Sequence, residues 1–146
     1  MQRNRFIKRL FERCHFCFKG MRLRITPPDE WEFRSGEITK KRACLYQGKK
    51  LIASTYFDME RHPGILKDDM YGQLFARSPF ELSRSPSSFC RFVAVLQRGL
   101  TKKYMLLMAL TENDEAVLAL LQMRMKCSNA QAQKMKKDGN QEKHKV

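Results

Sequence analysis

The sequence lacks the apolar runs that membrane-spanning and secreted chains carry. No run of apolar residues approaches the ~20 that a spanning helix needs. The N-terminus also lacks the uninterrupted apolar stretch of a secretory signal peptide, and the five cysteines are an odd number at irregular spacing. We therefore expect reduced thiols and a location in the cytoplasm or the nucleus, rather than a disulfide framework.

Catalytic and cofactor motifs are also missing. The chain contains no Gly-x-Ser-x-Gly, no P-loop and no dinucleotide-binding glycine pattern. Cys14 and Cys17 form one Cys-x-x-Cys pair around His15, but no second pair completes a four-ligand zinc site. Because both cysteines fall on an apolar helical stripe, we interpret them as buried thiols and predict neither a metal nor a cofactor.

The densest acidic cluster outside the chain ends could carry enzymatic chemistry. Its members are Asp58, Glu60, His62, Asp68 and Asp69. Carboxylates and a histidine at one strand end can hold Mg²⁺ for phosphodiester cleavage. The pattern matches no nuclease motif, however, and we interpret it as a solvated turn followed by a helix start. We therefore predict a protein that is not an enzyme.

The composition that remains is that of one folded domain. The chain has 146 residues, 42% of them hydrophobic, and ten are phenylalanine. This length suits a single domain that buries its own core, and this hydrophobic content argues against global disorder. We predict the α+β class, with a mainly antiparallel sheet of about five to six strands.

The most apolar part of the chain predicts the centre of that sheet. Phe89–Gln97 and Tyr104–Leu110 are nearly continuous apolar runs, which is typical of strands that are buried on both faces. The basic loop 98–103 would join them as an antiparallel pair. Thr111 and Asp114 then stand at capping-box spacing, and they predict the start of a C-terminal helix packed on the sheet.

Shorter elements precede this unit. Alternating apolar and polar residues predict four strands, at Met21–Ile25, Trp31–Arg34, Lys41–Gln47 and Leu51–Phe57. The alternation in the first strand places Arg22 and Arg24 on its solvent side, and Gly48-Lys49-Lys50 predicts a short hairpin turn between the last two. Residues 61–77 predict a short helix. Ser78–Ser88, with two prolines and five serines, predicts a connecting loop.

Residues 3–18 predict a basic amphipathic helix, because apolar residues recur there at helical spacing between Lys and Arg. Four interpretations are open. The helix docks its apolar face on the sheet, binds nucleic acid, inserts into a protein partner or an anionic membrane, or serves as a mitochondrial presequence. The absence of serine from the first 34 residues weakens the last of these.

The net charge of +14 is concentrated at the ends of the chain. Residues 1–24 hold eight Lys or Arg and one Glu, and residues 128–146 hold five Lys and two acids. We divide the chain into a helix over 1–20, an α+β domain over 21–127 and a polar basic tail over 128–146 that we expect to be disordered. Charge of one sign on this scale predicts an acidic partner.

These observations favour a small non-enzymatic protein that binds the backbone of RNA or DNA with weak sequence specificity. The N-terminal helix and two basic loops would form one cationic rim. The residues that we predict to bind are Arg5, Lys8, Arg9, Arg13, Lys49, Lys50, Lys102 and Lys103. The alternative is an adaptor that binds a protein or a membrane through residues 3–18. A homodimer would supply cover for the second face of the two buried strands.

Overall fold

A computed structural model describes residues 3–25, 31–34, 37–40 and 42–127 of the chain. Within these ranges the chain forms, in order, α1 (Arg3–Glu12), β1 (Arg22–Ile25), β2 (Trp31–Arg34), β3 (Glu37–Lys40), β4 (Arg42–Gln47), β5 (Lys50–Tyr56), α2 (Met70–Phe75), α3 (Pro79–Ser83), α4 (Ser88–Leu96), α5 (Lys102–Thr111) and α6 (115–127). The basic tail predicted over 128–146 lies outside the described residues.

The α+β class is confirmed, but the single sheet of five to six strands is wrong. One antiparallel sheet has three strands in the order β1-β4-β5, and β2 pairs with β3 in a separate two-stranded sheet. All four strands predicted in the first half of the chain are confirmed. The sheet is smaller than expected because the two strands predicted at its centre are helices.

The apolar segment predicted as the strand Phe89–Gln97 is instead α4, the central helix of the core. Eight of its nine residues are buried, and only Arg91 is partly exposed. A mostly apolar run of only nine residues fits a buried strand as well as a buried helix, so its pattern alone does not separate the two. The inner face of the three-stranded sheet packs on α4, with α3 on another side of it.

The start of α4 is specified by polar side chains, one of which comes from far along the chain. The Ser87 hydroxyl accepts a hydrogen bond from the Cys90 N–H at 3.2 Å. The buried Asp58 carboxylate accepts hydrogen bonds from the N–H groups of Ser88 and Phe89, at 3.1 and 2.9 Å. A carboxylate at a helix N-terminus satisfies unpaired donors and suits the helix dipole. The Ser78–Ser88 segment is therefore not the simple loop that we predicted, and it includes α3.

The second predicted strand, Tyr104–Leu110, is also a helix and forms most of α5. Met105 and Met108 face the core. Three leucines of this helix are exposed to solvent: Leu106, Leu107 and Leu110. The prediction that neither side of this segment meets water is therefore wrong.

The C-terminal helix is confirmed as α6, but its cap differs from the predicted one. Thr111 belongs to the end of α5, so it takes no part in a capping box. Asp114 alone caps α6, because its Oδ1 accepts hydrogen bonds from the N–H groups of Ala116 and Val117 at 2.9 and 3.0 Å. Val117, with Leu120 and Leu121, faces the core.

The N-terminal helix docks on the domain and is shorter than predicted. α1 ends at Glu12, and the following residues pair with the segment after α4. The His15 N–H donates to the Leu96 carbonyl at 2.8 Å, and the Arg98 N–H donates to the Arg13 carbonyl at 2.9 Å. The apolar side of the segment, which comprises Phe6, Leu10, Cys14 and Phe18, is fully buried. Phe6 reaches the ring of Phe89 with a centroid distance of 6.3 Å.

A buried arginine joins α6 to the loop between α4 and α5. The guanidinium of Arg124 donates to four backbone carbonyl oxygens, those of Val95, Gln97, Arg98 and Leu100. These carbonyls include groups that a helix end leaves without an intrahelical partner. Burial lowers the pKa of the Arg124 guanidinium from its ordinary value.

Candidate nucleic-acid interface

The outer face of the three-stranded sheet collects exposed arginines. In β1, Leu23 and Ile25 point into the core, while Arg22 and Arg24 point outward. The cross-strand register places Arg22 opposite Tyr46 and Arg24 opposite Cys44. Directly opposed residues share one face of an antiparallel sheet. Arg42, two residues before Cys44 on β4, therefore lies on the same face.

Two tyrosines lie between these arginines. The Arg22 guanidinium stands over the ring of Tyr46 at 5.4 Å, and that of Arg42 over the ring of Tyr56 at 4.4 Å. Arg42 also donates a hydrogen bond to the Tyr56 hydroxyl at 3.0 Å. Half-exposed aromatic rings beside guanidinium groups are suited to stacking on nucleic-acid bases. We call Arg22, Arg24, Arg42, Tyr46 and Tyr56 the cationic face.

A groove runs along one edge of the cationic face, between β1 and the start of α1. Its volume is about 570 Å³, and its lining residues are Arg3, Asn4, Ile7, Arg22, Leu23, Arg24 and Ile25. Arg3 is positioned by a hydrogen bond from its Nη1 to the carbonyl oxygen of Ile25, at 3.1 Å. Among the lining residues that the structure describes, three carry a guanidinium group and none is acidic.

The strands that carry the cationic face contain no acidic residue either. β1, β4 and β5 together hold four Lys or Arg and neither Asp nor Glu. Charge of one sign on a single surface produces a potential that attracts polyanions. The arrangement is thus chemically suited to bind phosphate groups along a strand and to stack bases on two rings.

Of the residues predicted from the sequence, those on α1 fall into two pairs. Arg5 and Lys8 are exposed. Arg9 and Arg13 are partly buried, and both guanidinium groups lie over the ring of Phe75, at 4.9 and 5.1 Å. The second pair is therefore engaged within the domain, where the guanidinium groups cover an aromatic ring.

The predicted lysines occupy two separate places in the fold. Lys49 lies in the turn between β4 and β5, and Lys50 begins β5. Lys102 and Lys103 form the first turn of α5. All four are exposed. The predicted rim of two neighbouring hairpin tips is not formed, because the loop 98–103 joins two helices.

Sequence reasoning missed Arg22, Arg24 and Arg42 as binding residues. The signal was present in β1, where strict alternation placed both arginines on the solvent side. What the sequence did not reveal is that β4 lies beside β1 and adds a third arginine and a tyrosine to the same face. Of the four phenylalanines in the N-terminal segment, Phe6 and Phe18 are fully buried, Phe11 is partly buried and Phe16 is 44% exposed.

The Cys-x-x-Cys pair packs against the interior of the domain. Cys14 is buried, and its Sγ donates to the Phe11 carbonyl at 3.1 Å. The Cys17 Sγ lies 3.1 Å from Nδ1 of His15. Burial raises the pKa of Cys17 to about 12, which opposes the deprotonation that metal binding requires. Over the part of the chain that the structure describes, no group of three or more His, Cys, Asp or Glu side chains could hold a metal ion.

The acidic cluster that suggested Mg²⁺ chemistry is only in part the solvated turn that we predicted, because Asp58 and His62 are buried. Both Asp58 oxygens accept hydrogen bonds from the start of α4, including one from the Ser87 hydroxyl at 2.8 Å. His62 is buried with its Nδ1 2.8 Å from the Ser85 hydroxyl oxygen. Asp68 and Asp69 lie in an exposed turn before α2.

A second cleft, of about 270 Å³, lies beside α3, α4 and the end of α5. Arg91 on its wall forms a bidentate ion pair with Glu112, with an Nε–Oε2 distance of 2.8 Å. The same guanidinium donates to the carbonyl oxygen of Ser85. The charge of Arg91 is therefore neutralised within the fold.

No family model matches the chain, and no curated protein or solved structure is significantly similar to it. Among the helices of the described ranges, none is both long and apolar enough to cross a membrane. We therefore infer the function from the geometry and charge of the chain itself.

Proposed function

We propose that this protein is a non-enzymatic nucleic-acid-binding protein that contacts the phosphate backbone through the cationic face and its adjoining groove. The observation that carries the proposal is the grouping of exposed arginines on β1 and β4, in a sheet whose three strands contain no acidic residue. Arginine forms charge-assisted hydrogen bonds with phosphate and stacks on bases. Contacts to phosphate provide affinity without reading sequence, so we expect weak sequence specificity.

The two tyrosines favour a single strand over a duplex. Bases in a duplex are stacked on each other, whereas those of a single strand are free to stack on Tyr46 and Tyr56. We accordingly propose RNA or single-stranded DNA in the cytoplasm or the nucleus as the ligand class. The proposed adaptor role for residues 3–18 would require α1 to leave the core, because Phe6 and Leu10 are fully buried.

The test is a binding measurement with labelled single-stranded and duplex oligonucleotides across a salt series. The variant is Arg22→Gln/Arg24→Gln/Arg42→Gln, which removes three exposed charges from the cationic face. The control is Arg98→Gln/Lys102→Gln/Lys103→Gln, which removes the same charge from exposed residues in the loop after α4 and the first turn of α5. Both variants keep long polar side chains, so the fold should be preserved and circular dichroism will check this.

The expected magnitude follows from counterion release. Each neutralised phosphate contributes about −0.7 to the slope of log K against log salt for a single strand, so three lost contacts reduce the slope by about 2. At 0.1 M salt the same loss weakens binding by about 100-fold, provided that the affinity at 1 M salt is unchanged. Tyr46→Ala should weaken single-strand binding without changing this slope.

Three results are informative. A reduced slope in the sheet variant alone supports the proposed interface. A reduced slope in the control variant alone contradicts the interface, although nucleic-acid binding itself would stand. No binding by the wild-type protein at low salt refutes the proposed function. In that case vesicles of anionic lipid are the next ligand to test, together with variants of residues 3–18.

A further inference from the structure

The exposed side of α5 is apolar where a surface helix is normally polar. Leu106, Leu107 and Leu110 are 49%, 52% and 81% exposed. Residues three and four apart are neighbours on a helix surface, so these three leucines form one continuous stripe. Single exposed leucines are ordinary in soluble proteins, but a contiguous group is typical of an interaction site.

The apolar surface continues from α5 onto α3. The ring of Phe80 packs against that of Tyr104 with a centroid distance of 4.3 Å, and Phe80 remains 38% exposed. Tyr104 precedes Leu107 by three residues and therefore lies beside it on the helix surface. The stripe with its two flanking aromatic residues is the surface that we call the leucine patch.

The charges at the two ends of α5 indicate what covers the leucine patch. Lys102 and Lys103 are exposed at the N-terminal end, where a positive charge opposes the helix dipole. The C-terminal end carries partial negative charge, and the exposed Glu115 follows it. A partner helix that complements this pattern is negative beside the lysines and positive beside Glu115. A second α5 in antiparallel orientation has this charge pattern.

We propose that the leucine patch binds the leucine patch of a second copy of the chain, with the two α5 helices antiparallel about a twofold axis near Leu106 and Leu107. Such an interface is isologous, because the same patch is used by both copies. The leucines pack at the centre, and each lysine pair lies beside the carboxyl end of the other helix. A parallel pairing would instead place the two lysine pairs together.

The proposed dimer does not depend on nucleic-acid binding. It rests on the leucine patch, whereas the homodimer predicted from the sequence had a different reason. That reason was an uncovered face of two buried strands, which the structure shows to be helices. A single helix with flanking aromatics offers less area than the ~800 Å² per partner of a typical stable interface. We therefore expect a reversible dimer with a dissociation constant in roughly the micromolar range.

The test is sedimentation equilibrium of the full chain over a hundredfold range of concentration, in high salt. Salt screens contacts with residual nucleic acid but does not weaken an apolar interface. The variant is Leu107→Glu, which places two like charges at the centre of the proposed interface. The matched control is Leu51→Glu on β5, where the wild-type leucine is 51% exposed. Leu110→Glu is a second variant at a more exposed site of the patch.

The expected result is a monomer–dimer equilibrium for the wild-type protein and for Leu51→Glu, and a monomer for Leu107→Glu and Leu110→Glu. Unfolding midpoints of the variants will show whether each remains folded. A wild-type protein that is monomeric throughout refutes the proposal, as does a dimer that both patch variants retain. A monomeric wild-type protein that sediments with anionic vesicles, when Leu107→Glu does not, would assign the leucine patch to a membrane. This result would also refute the proposed dimer.

Discussion

Replacement of Arg124 by methionine tests whether a buried guanidinium holds the C-terminal helix to the core. Arg124 is 3% exposed, and its Nη atoms lie 2.6 Å from the carbonyl oxygens of Gln97 and Leu100. Two further carbonyls accept at 2.8 and 3.4 Å. Methionine fills a similar volume but donates no hydrogen bond, so Arg124→Met leaves these acceptors without their donor.

The expected cost follows from these four contacts. Each hydrogen bond to a charged group stabilises a fold by roughly 1.5–3 kcal/mol. Burial of the guanidinium charge costs several kcal/mol, and Arg124→Met removes this cost together with the hydrogen bonds. The net destabilisation should therefore be about 3–5 kcal/mol. A domain of this size has a free energy of unfolding of roughly 5–15 kcal/mol, so the variant would be marginally folded.

Urea unfolding followed by far-ultraviolet circular dichroism measures this loss. Lys126→Met is the matched control, because Lys126 is exposed in the same helix turn and should change stability by less than about 0.5 kcal/mol. Arg124→Lys keeps the charge but cannot span four carbonyls, so it should fall between the two. An Arg124→Met free energy of unfolding within about 1 kcal/mol of the wild-type value would refute the reasoning.

Two further predictions concern the polar groups around the start of α4. Asp58→Ala should lower the free energy of unfolding by about 3 kcal/mol, because it leaves the buried N–H groups of Ser88 and Phe89 without an acceptor. The control Asp68→Ala changes an exposed residue and should leave the free energy of unfolding unchanged. Equal losses for the two variants in urea unfolding would contradict the role of Asp58. Burial, followed by the charge of Arg77, lowers the pKa of His62 below its ordinary 6.5. The contribution of neutral His62 to the free energy of unfolding should therefore be fully present above pH 6.5 and should decrease as the pH falls below it. The reason is that the unfolded chain binds the proton more readily than the folded protein. His62→Asn should reduce this dependence in unfolding midpoints at several pH values, and an unchanged dependence would show that other groups cause it.

The predictions that depend on local pattern agree with the structure. Strict alternation in Met21–Ile25 predicted a strand with Arg22 and Arg24 on its solvent side, and both features are confirmed. Gly48 and Lys49 predicted the turn between β4 and β5, where Gly48 has a φ of 61° that glycine adopts without strain. These features succeed because side-chain period and turn chemistry act over only a few residues.

The two wrong strands fail for a physical reason. A segment that is buried on all sides loses the periodicity that distinguishes a helix from a strand. What makes 88–96 a helix includes the Asp58 carboxylate, which lies 30 residues away from the N–H group of Ser88 that it binds. In the same way, the continuous apolar run of α5 predicted burial on every side, whereas the fold buries its methionines and leaves three leucines exposed.

The sequence by itself determined the α+β class, four of the five strands of the first half, an amphipathic helix at the N-terminus and the excess of positive charge. These properties are encoded locally or by composition, so no knowledge of distant contacts is needed. Only the tertiary structure decided which cations share a surface, because the β1–β4 pairing brings Arg42 and Tyr46 beside Arg22 and Arg24. It also decided that Arg124 is a buried donor, since its carbonyl partners come from a loop more than 20 residues earlier in the chain.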